Sequence, residues 1–200
     1  VTDAPEATTA KERLLGGAID YIATHGSADL SLRQLAKATG TSHRMLLYHF
    51  GSKEGLLIEV VRAVEERQRR IFAELDADVD TDDPAAVGEM ARRFWRRLSA
   101  PENWPYVRLL FEIYGRALQG DQRTAPLLDG IVSSWVEPLT QWAARRGLPP
   151  AKARAFARLG VAVPRGLLLD LMATGDHQAV DEAMGLFIDT YEALAATARL

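Results

Sequence analysis

Cysteine is missing altogether from the 200 residues. Its absence removes disulfide scaffolds, thiol nucleophiles, iron–sulfur clusters and every cysteine zinc site. Glycine and proline are sparse, at 15 and 9 residues, too few for a collagen-like or low-complexity chain. Long apolar runs are missing too. The best stretch, Leu159 to Leu171, is broken by Pro164, Arg165 and Asp170, short of the roughly 18 residues that a membrane span requires. No basic region followed by an apolar one marks a signal peptide, so the expected address is the cytoplasm, with no membrane partner. His25, His43, His49 and His177 show no H-E-x-x-H or paired spacing. The Asp run from Asp76 begins like a calcium loop, but Thr81 stands where the loop needs Gly and Val87 where it needs Glu. It reads as a solvated linker. No G-x-S-x-G, G-x-G-x-x-G or Walker loop occurs. No metal, no cofactor and no catalytic residue is expected, and the chain does not read as an enzyme.

What is present is an ample apolar share, 48%, enough for a packed core. Acids outnumber Lys and Arg by 27 to 24, for a net charge of −3. The distribution is uneven. From Ser31 to Lys53 there are four cations (Arg33, Lys37, Arg44, Lys53), two histidines and no acid, which leaves the rest of the chain at −7. A small basic patch on an acidic body is the charge pattern of a protein that offers one face to a polyanion.

The apolar periodicity is helical nearly throughout, and strand-like alternation is almost absent. Leu14, Leu15, Ala18, Ile19 and Ile22 mark a first helix that ends at Gly26. Ser31 to Gln34 reads as a capping box for a second, which ends at Thr39-Gly40. Ser42 caps a short third helix to about Tyr48, and Ser52 caps a long fourth towards Leu75, with a wet interruption near Gln68. Asp76 to Asp83 links to a fifth helix opened by Pro84. Periodic sets at Met90–Leu98, Trp104–Leu118, Leu128–Trp142, Pro150–Ala173 and Asp176–Arg199 complete the count, with Pro138 expected to kink the seventh. The reading is all-α, about nine helices.

Two short helices joined by a tight Gly-containing turn form a helix-turn-helix unit. Ala36 is small where the helices approach, Gly40 serves the turn, and Leu46 is spaced to pin the third helix inward. The outer face then presents Thr41, Ser42, His43, Arg44, Leu47, Tyr48 and His49. Arg44 has the fork for guanine O6 and N7, and Ser42 or His43 can bond a base edge or phosphate. The helix starts at Ser31 and Ser52, with Arg33 and Lys53 beside them, are phosphate seats. A helical packing unit with a solvated basic face is the alternative that these residues leave open.

The stretch LSLRQLAKATGTSHRMLLYHFGSKEGLL, Leu30 to Leu57, closely resembles the signature of TetR-type transcriptional regulators, including Tyr48-His49-Phe50 and Gly51-Ser52-Lys53-Glu54. One position departs: Leu47 stands where such proteins commonly carry a phosphate-contacting Tyr. The resemblance implies a homodimer that places two recognition helices in the major groove of a palindromic double-stranded operator. It also implies repression released by a small molecule held in the larger domain. On that reading residues 1–10 are a tail, 11–55 the helix-turn-helix domain, and 56–200 the ligand-binding and dimerisation domain, joined by the helix 56–75.

Two features of the larger part fit. All four Trp fall between 95 and 142, among several Phe and Tyr. Phe94, Trp104, Phe111, Tyr114, Trp135 and Phe156 are candidate walls of a cavity for a small hydrophobic or aromatic effector, with Arg165 a candidate anchor for an acidic one. A plain core is the alternative. The eighth helix is apolar on nearly every face, which a subunit interface would explain. Val161, Leu168 and Met172, with Met184, Phe187 and Tyr191 of the ninth, are its candidate residues; a central core helix of a monomer is the alternative. Two other classes stay open: an α-helical binding or enzymatic bundle with an incidental helix-turn-helix, and a constitutive DNA-binding module without a ligand.

Overall fold

A computed structural model describes residues 9–27, 30–77, 79 and 83–197. Among them it shows nine α-helices and no strand. Residues 1–8 of the expected tail 1–10, Asp78 and Asp80–Asp82 of the acidic linker, and Arg199 lie outside the described residues, while Thr9 and Ala10, expected in that tail, cap and begin the first helix.

The N-terminal part holds α1 (Ala10–His25), α2 (Leu32–Ala38), α3 (His43–Phe50) and the start of α4 (Lys53–Ala77). A capping box forms at Thr9 and Glu12, ahead of α1. At Ser31 the expected box is only half made: the hydroxyl accepts from the Arg33 backbone N–H at 3.3 Å, while Gln34 makes no return bond. Its exposed side chain has water as a competing partner. The Ser42 and Ser52 hydroxyls accept from the N–H groups of Met45 and Gly55, at 3.2 and 2.9 Å, and so begin α3 and α4. Gly40 turns the chain at φ +65°. Gly55 is required by proximity: a Cβ there would sit 2.2 Å from the Phe50 carbonyl oxygen, so any side chain would push α3 and α4 apart.

The remaining helices are α5 (Pro84–Ser99), α6 (Trp104–Leu118), α7 (Ser133–Arg145), α8 (Pro150–Thr174) and α9 (His177–Thr197). Short 3-10 turns at Pro101–Asn103 and Ala125–Leu127 precede α6 and follow it. The seventh helix begins later than its periodicity suggests, because residues 128–132 form turns around Gly130 at φ +82°.

One core joins α1, α2 and α3 to the first half of α4 and to Leu109, Leu110 and Ile113 of α6. Polar contacts seat the three-helix head on α6: Tyr106 donates to the Ile19 carbonyl at 3.2 Å, and Ser27 to Glu112 at 3.2 Å. Arg116 of α6 joins Glu54 at the start of α4 (3.5 Å) to Asp121 (2.8 Å). Three further apolar clusters fill the body between α4 and α9. No helix among the described residues is long and apolar enough to cross a membrane.

Gln68 departs from expectation. In place of a wet interruption, it is only 8% exposed, enclosed where α4 packs against the body.

Candidate nucleic-acid interface and ligand cavity

On α3, Leu46 and Phe50 are four residues apart, share one face and are buried. The opposite face therefore carries Arg44, Met45 and Tyr48, with Leu47 on its flank and Ser42 and His43 at the N-terminal end, and all six are exposed, Tyr48 at 78%. Arg33 and Lys37 of α2 are exposed as well, and Ser31, Thr41 and Lys53 are half-buried. Among the described residues none of Arg33, Lys37, Arg44 and Lys53 has a carboxylate within 4.0 Å, whereas Lys11 on the neighbouring helix pairs with Glu59 at 3.1 Å. The cations beside α3 thus retain their full capacity for an external anion. His49 is different. It lies on the flank of α3, its Nε2 enclosed and without a partner, so that nitrogen does not join the outward face expected of it.

In the body, a cavity of about 100 Å3 opens between α4, α5, α7, α8 and α9. Phe94, Trp135 and Phe156 line it as the sequence suggests. Trp104, Phe111, Tyr114 and Arg165 do not. Trp104 stacks on His177 and donates to the Ser99 carbonyl at 3.0 Å. Phe111 packs against the cluster that holds Trp95 and Leu168, and Tyr114 packs against the core below the head. Arg165 is held by Glu65 at 3.2 Å and the Ile131 carbonyl at 2.9 Å, which leaves it unable to anchor an acid in the cavity. The walls that the sequence reading missed are Phe72 of α4, Trp95 of α5, Trp142 of α7 and Phe187 and Tyr191 of α9. Their apolar periodicity was visible, but a repeat of three and four names a buried face and not the neighbours that face meets.

The polar atoms of these walls are already in use. Trp95 Nε1 donates to Asp181 at 2.6 Å, Trp142 Nε1 to Asp76 at 2.7 Å, and Trp135 Nε1 to Glu65. Glu65 is in turn paired with Arg165, and Asp76 with the buried Arg146, whose guanidinium also covers the Trp142 ring. The cavity therefore offers ring faces and methyl groups, with each indole N–H bonded behind the wall. That chemistry suits an uncharged apolar guest.

The expected interface residues of α8 and α9 also divide. Val161, Leu168, Met184 and Tyr191 are buried within the one subunit, and Met172 and Phe187 are partly buried against its core. The four buried ones pack inward, against α5, α7 and the cavity, while Met172 and Phe187 keep part of their surface outside. The apolar residues left outside are Leu159 and Leu169 of α8 (52% and 53% exposed) and Leu186 of α9 (70%), with Ala162, Gly166 and Ala183 among them. The all-round apolar character of α8 has two causes, an inner face that fills the body and an outer face that is uncovered.

Fold and outward face together define a helix-turn-helix protein with a helical body. Residues 14–60 match the model of the bacterial regulatory proteins of the tetR family. A curated relative, the HTH-type transcriptional repressor AcnR of Corynebacterium glutamicum, is 33% identical over 67 residues. That match spans 34% of this chain and 36% of the relative, about a third of its length. The whole chain resembles solved structures in fold. A transcriptional regulator from Rhodococcus sp. RHA1 has a TM-score of 0.67 at 23% identity, covering 96% of this chain and 99% of that one. A TetR transcriptional regulator from Legionella pneumophila reaches 0.67 at 18%, covering 93% and 98%. The multidrug binding protein EbrR, solved with imidazole, reaches 0.61 at 24%, covering 92% and 95%. Residues 14–60 thus carry the tetR-type DNA-binding unit, and the rest of the chain shares the fold of these solved regulators.

Proposed function

We propose that this chain is a homodimeric, sequence-specific DNA-binding repressor whose hold on a palindromic operator is released by a small apolar ligand, and that it is not an enzyme. The observation that carries the DNA reading is the exposed end and outward face of α3, where neither Arg44 nor Arg33, Lys37 and Lys53 beside it has a carboxylate partner among the described residues. The relative AcnR is named a repressor, which supports the direction of regulation. The division of labour follows: residues 11–55 read DNA, residues 56–200 bind ligand and dimerise, and the protein acts in the cytoplasm.

The dimer is assigned to the uncovered stripe Leu159–Ala162–Gly166–Leu169 of α8 together with Ala183 and Leu186 of α9. Spacings of three and four put these α8 residues on one face, and the small residues allow close approach. A two-fold pair also explains how one short recognition helix per subunit reaches operator-scale specificity, since two half-sites are read at once. The ligand reading is supported by the apolar cavity and by the relation to EbrR, a multidrug binding protein by name. Release requires that the ligand favour the DNA-incompetent arrangement; equal affinity for both shifts nothing.

Selection of bound duplexes from a random pool tests the DNA reading. Enrichment of a palindromic site, lost with Arg44→Ala, is expected. No enrichment would leave a helical binding bundle as the better description. Sedimentation without DNA tests the dimer: a two-fold species at micromolar concentration is expected, converted to monomer by Leu186→Glu.

A further inference from the structure

Beside the aromatic cavity lies a second, smaller one of about 50 Å3, enclosed by α4, α5, α6 and α8. Leu98 lines both and is the partition between them. The small compartment differs in chemistry, because Glu65, Gln68, Asn103 and Tyr106 contribute to its wall. Three of these are committed. Tyr106 donates to Ile19, and Glu65 accepts from Trp135 and Arg165. Asn103 Nδ2 donates to the Arg97 carbonyl at 2.5 Å. That bond fixes the Asn103 amide, so its Oδ1 faces Gln68 and receives Gln68 Nε2 at 3.5 Å. What remains is Gln68 Oε1, buried and without a partner, on a residue 8% exposed.

A buried acceptor left unpaired costs about 1–3 kcal/mol, and the compartment exceeds the roughly 10–15 Å3 that a water needs. The compartment therefore has room for a donor that would satisfy this oxygen. Gln68 Oε1 sits one side chain, Leu98, away from a cavity whose indole N–H groups are all bonded behind the wall. We propose that the two compartments form one bipartite ligand site: an apolar, ring-sized body enters the aromatic cavity, and a neutral hydrogen-bond donor passes Leu98 to reach Gln68 Oε1. A hydroxyl or N–H satisfies that oxygen. A carboxylate would meet only an acceptor and the nearby Glu65, and an ammonium would find Glu65 already paired with Arg165. Gln68 belongs to α4, the helix whose first turns pack beneath α3, so the donor engages the element that joins cavity and head.

The inference rests on the reading of the aromatic cavity as the effector site. Two probes of the same shape separate the two ideas: 2-phenylethanol, which ends in a hydroxyl, and propylbenzene, which ends in a methyl. Binding of each to the full-length protein is followed by tryptophan fluorescence and calorimetry. The expected result is that Gln68→Leu lowers the affinity ratio of 2-phenylethanol to propylbenzene about tenfold, the weight of one hydrogen bond, while Trp104→Phe leaves it unchanged. If both probes bind and the ratio is the same in Gln68→Leu, the small compartment is a water pocket and the proposal is overturned, with the cavity reading intact. If neither probe binds, both fall. Should Gln68→Leu not fold, the wild-type protein decides: the methyl ether of 2-phenylethanol, an acceptor without a donor, is expected to bind about tenfold more weakly than the alcohol, and equal affinity overturns the proposal.

Discussion

The two regions treat polar groups in opposite ways. Around α3 the cations have no carboxylate partner among the described residues, and a large aromatic side chain, Tyr48, stands in solvent. Around the cavity every indole N–H of the wall is bonded to a carboxylate, and two of those carboxylates are bonded again to arginines. The first surface is unfinished until something anionic arrives. The second is finished on its polar side and unfinished only in volume. The exposed cations and the apolar cavity are thus separated along α4, which contributes Lys53 at one end and Phe72 near the other. The net charge of −3 conceals this, since it adds an exposed basic head to an acidic body that need not meet DNA.

The contrast can be broken at several points. The largest effect is expected on the finished side: Asp76→Ala strands Arg146, whose side chain is 4% exposed, and frees the Trp142 N–H. Removing one member of a buried pair costs about 3–5 kcal/mol, so urea unfolding should shift by that amount; a loss below about 1 kcal/mol would show that Arg146 finds another partner. Next is Arg44→Ala, expected to cost about 1–3 kcal/mol on the selected duplex and to relax discrimination at one base pair, with unfolding stability unchanged within about 0.5 kcal/mol. A stability loss without a specificity loss would make Arg44 structural. Lys53→Ala is expected to weaken all duplexes alike and to reduce the salt slope by about one for each phosphate left without its lysine; selective weakening of the preferred site would move Lys53 from phosphate to base readout. The smallest effect concerns the seam between head and body. The Arg116 guanidinium, with the Arg123 backbone N–H, holds the Asp121 carboxyl below its usual range. Its contribution is present above the ordinary carboxylate pKa and is lost as pH falls through the depressed one. The stability difference between wild type and Asp121→Asn should therefore be constant near neutrality and vanish in strong acid; a difference that persists there would locate the effect elsewhere.

Much of this was legible in the residues. Helix phase follows from apolar spacing, which is a local property, and the turn at Gly40 and the caps at Ser42 and Ser52 are local chemistry. The outward face of α3 was equally readable, because burying Leu46 and Phe50 decides where Arg44 points. His49, on the flank, lies beyond such reasoning: its enclosure depends on the helices around it. The cavity was half legible for a related reason. Phe94, Trp135 and Phe156 line one cavity, as the crowding of aromatics suggests, but Trp104, Phe111 and Tyr114 share one helix whose sides face different clusters. Met184 and Tyr191 looked like surface for a partner and instead fill the subunit, while Leu186 is the residue left outside. Gln68 was least legible. A polar residue in an apolar seam ordinarily marks solvent, and only the packing of α5 and α6 over α4 shows that it is buried.

The central claim is that the outer face of α3 and the helix starts around it grip DNA. Its most direct test is the salt dependence of binding by the full-length protein to the duplex it selects. With Arg33 and Lys53 of each subunit on phosphates, about four counterions are released per dimer, and the slope of log K against log salt is expected near −4. A slope near zero, or the same slope after Arg33→Ala and Lys53→Ala are combined, would contradict the account.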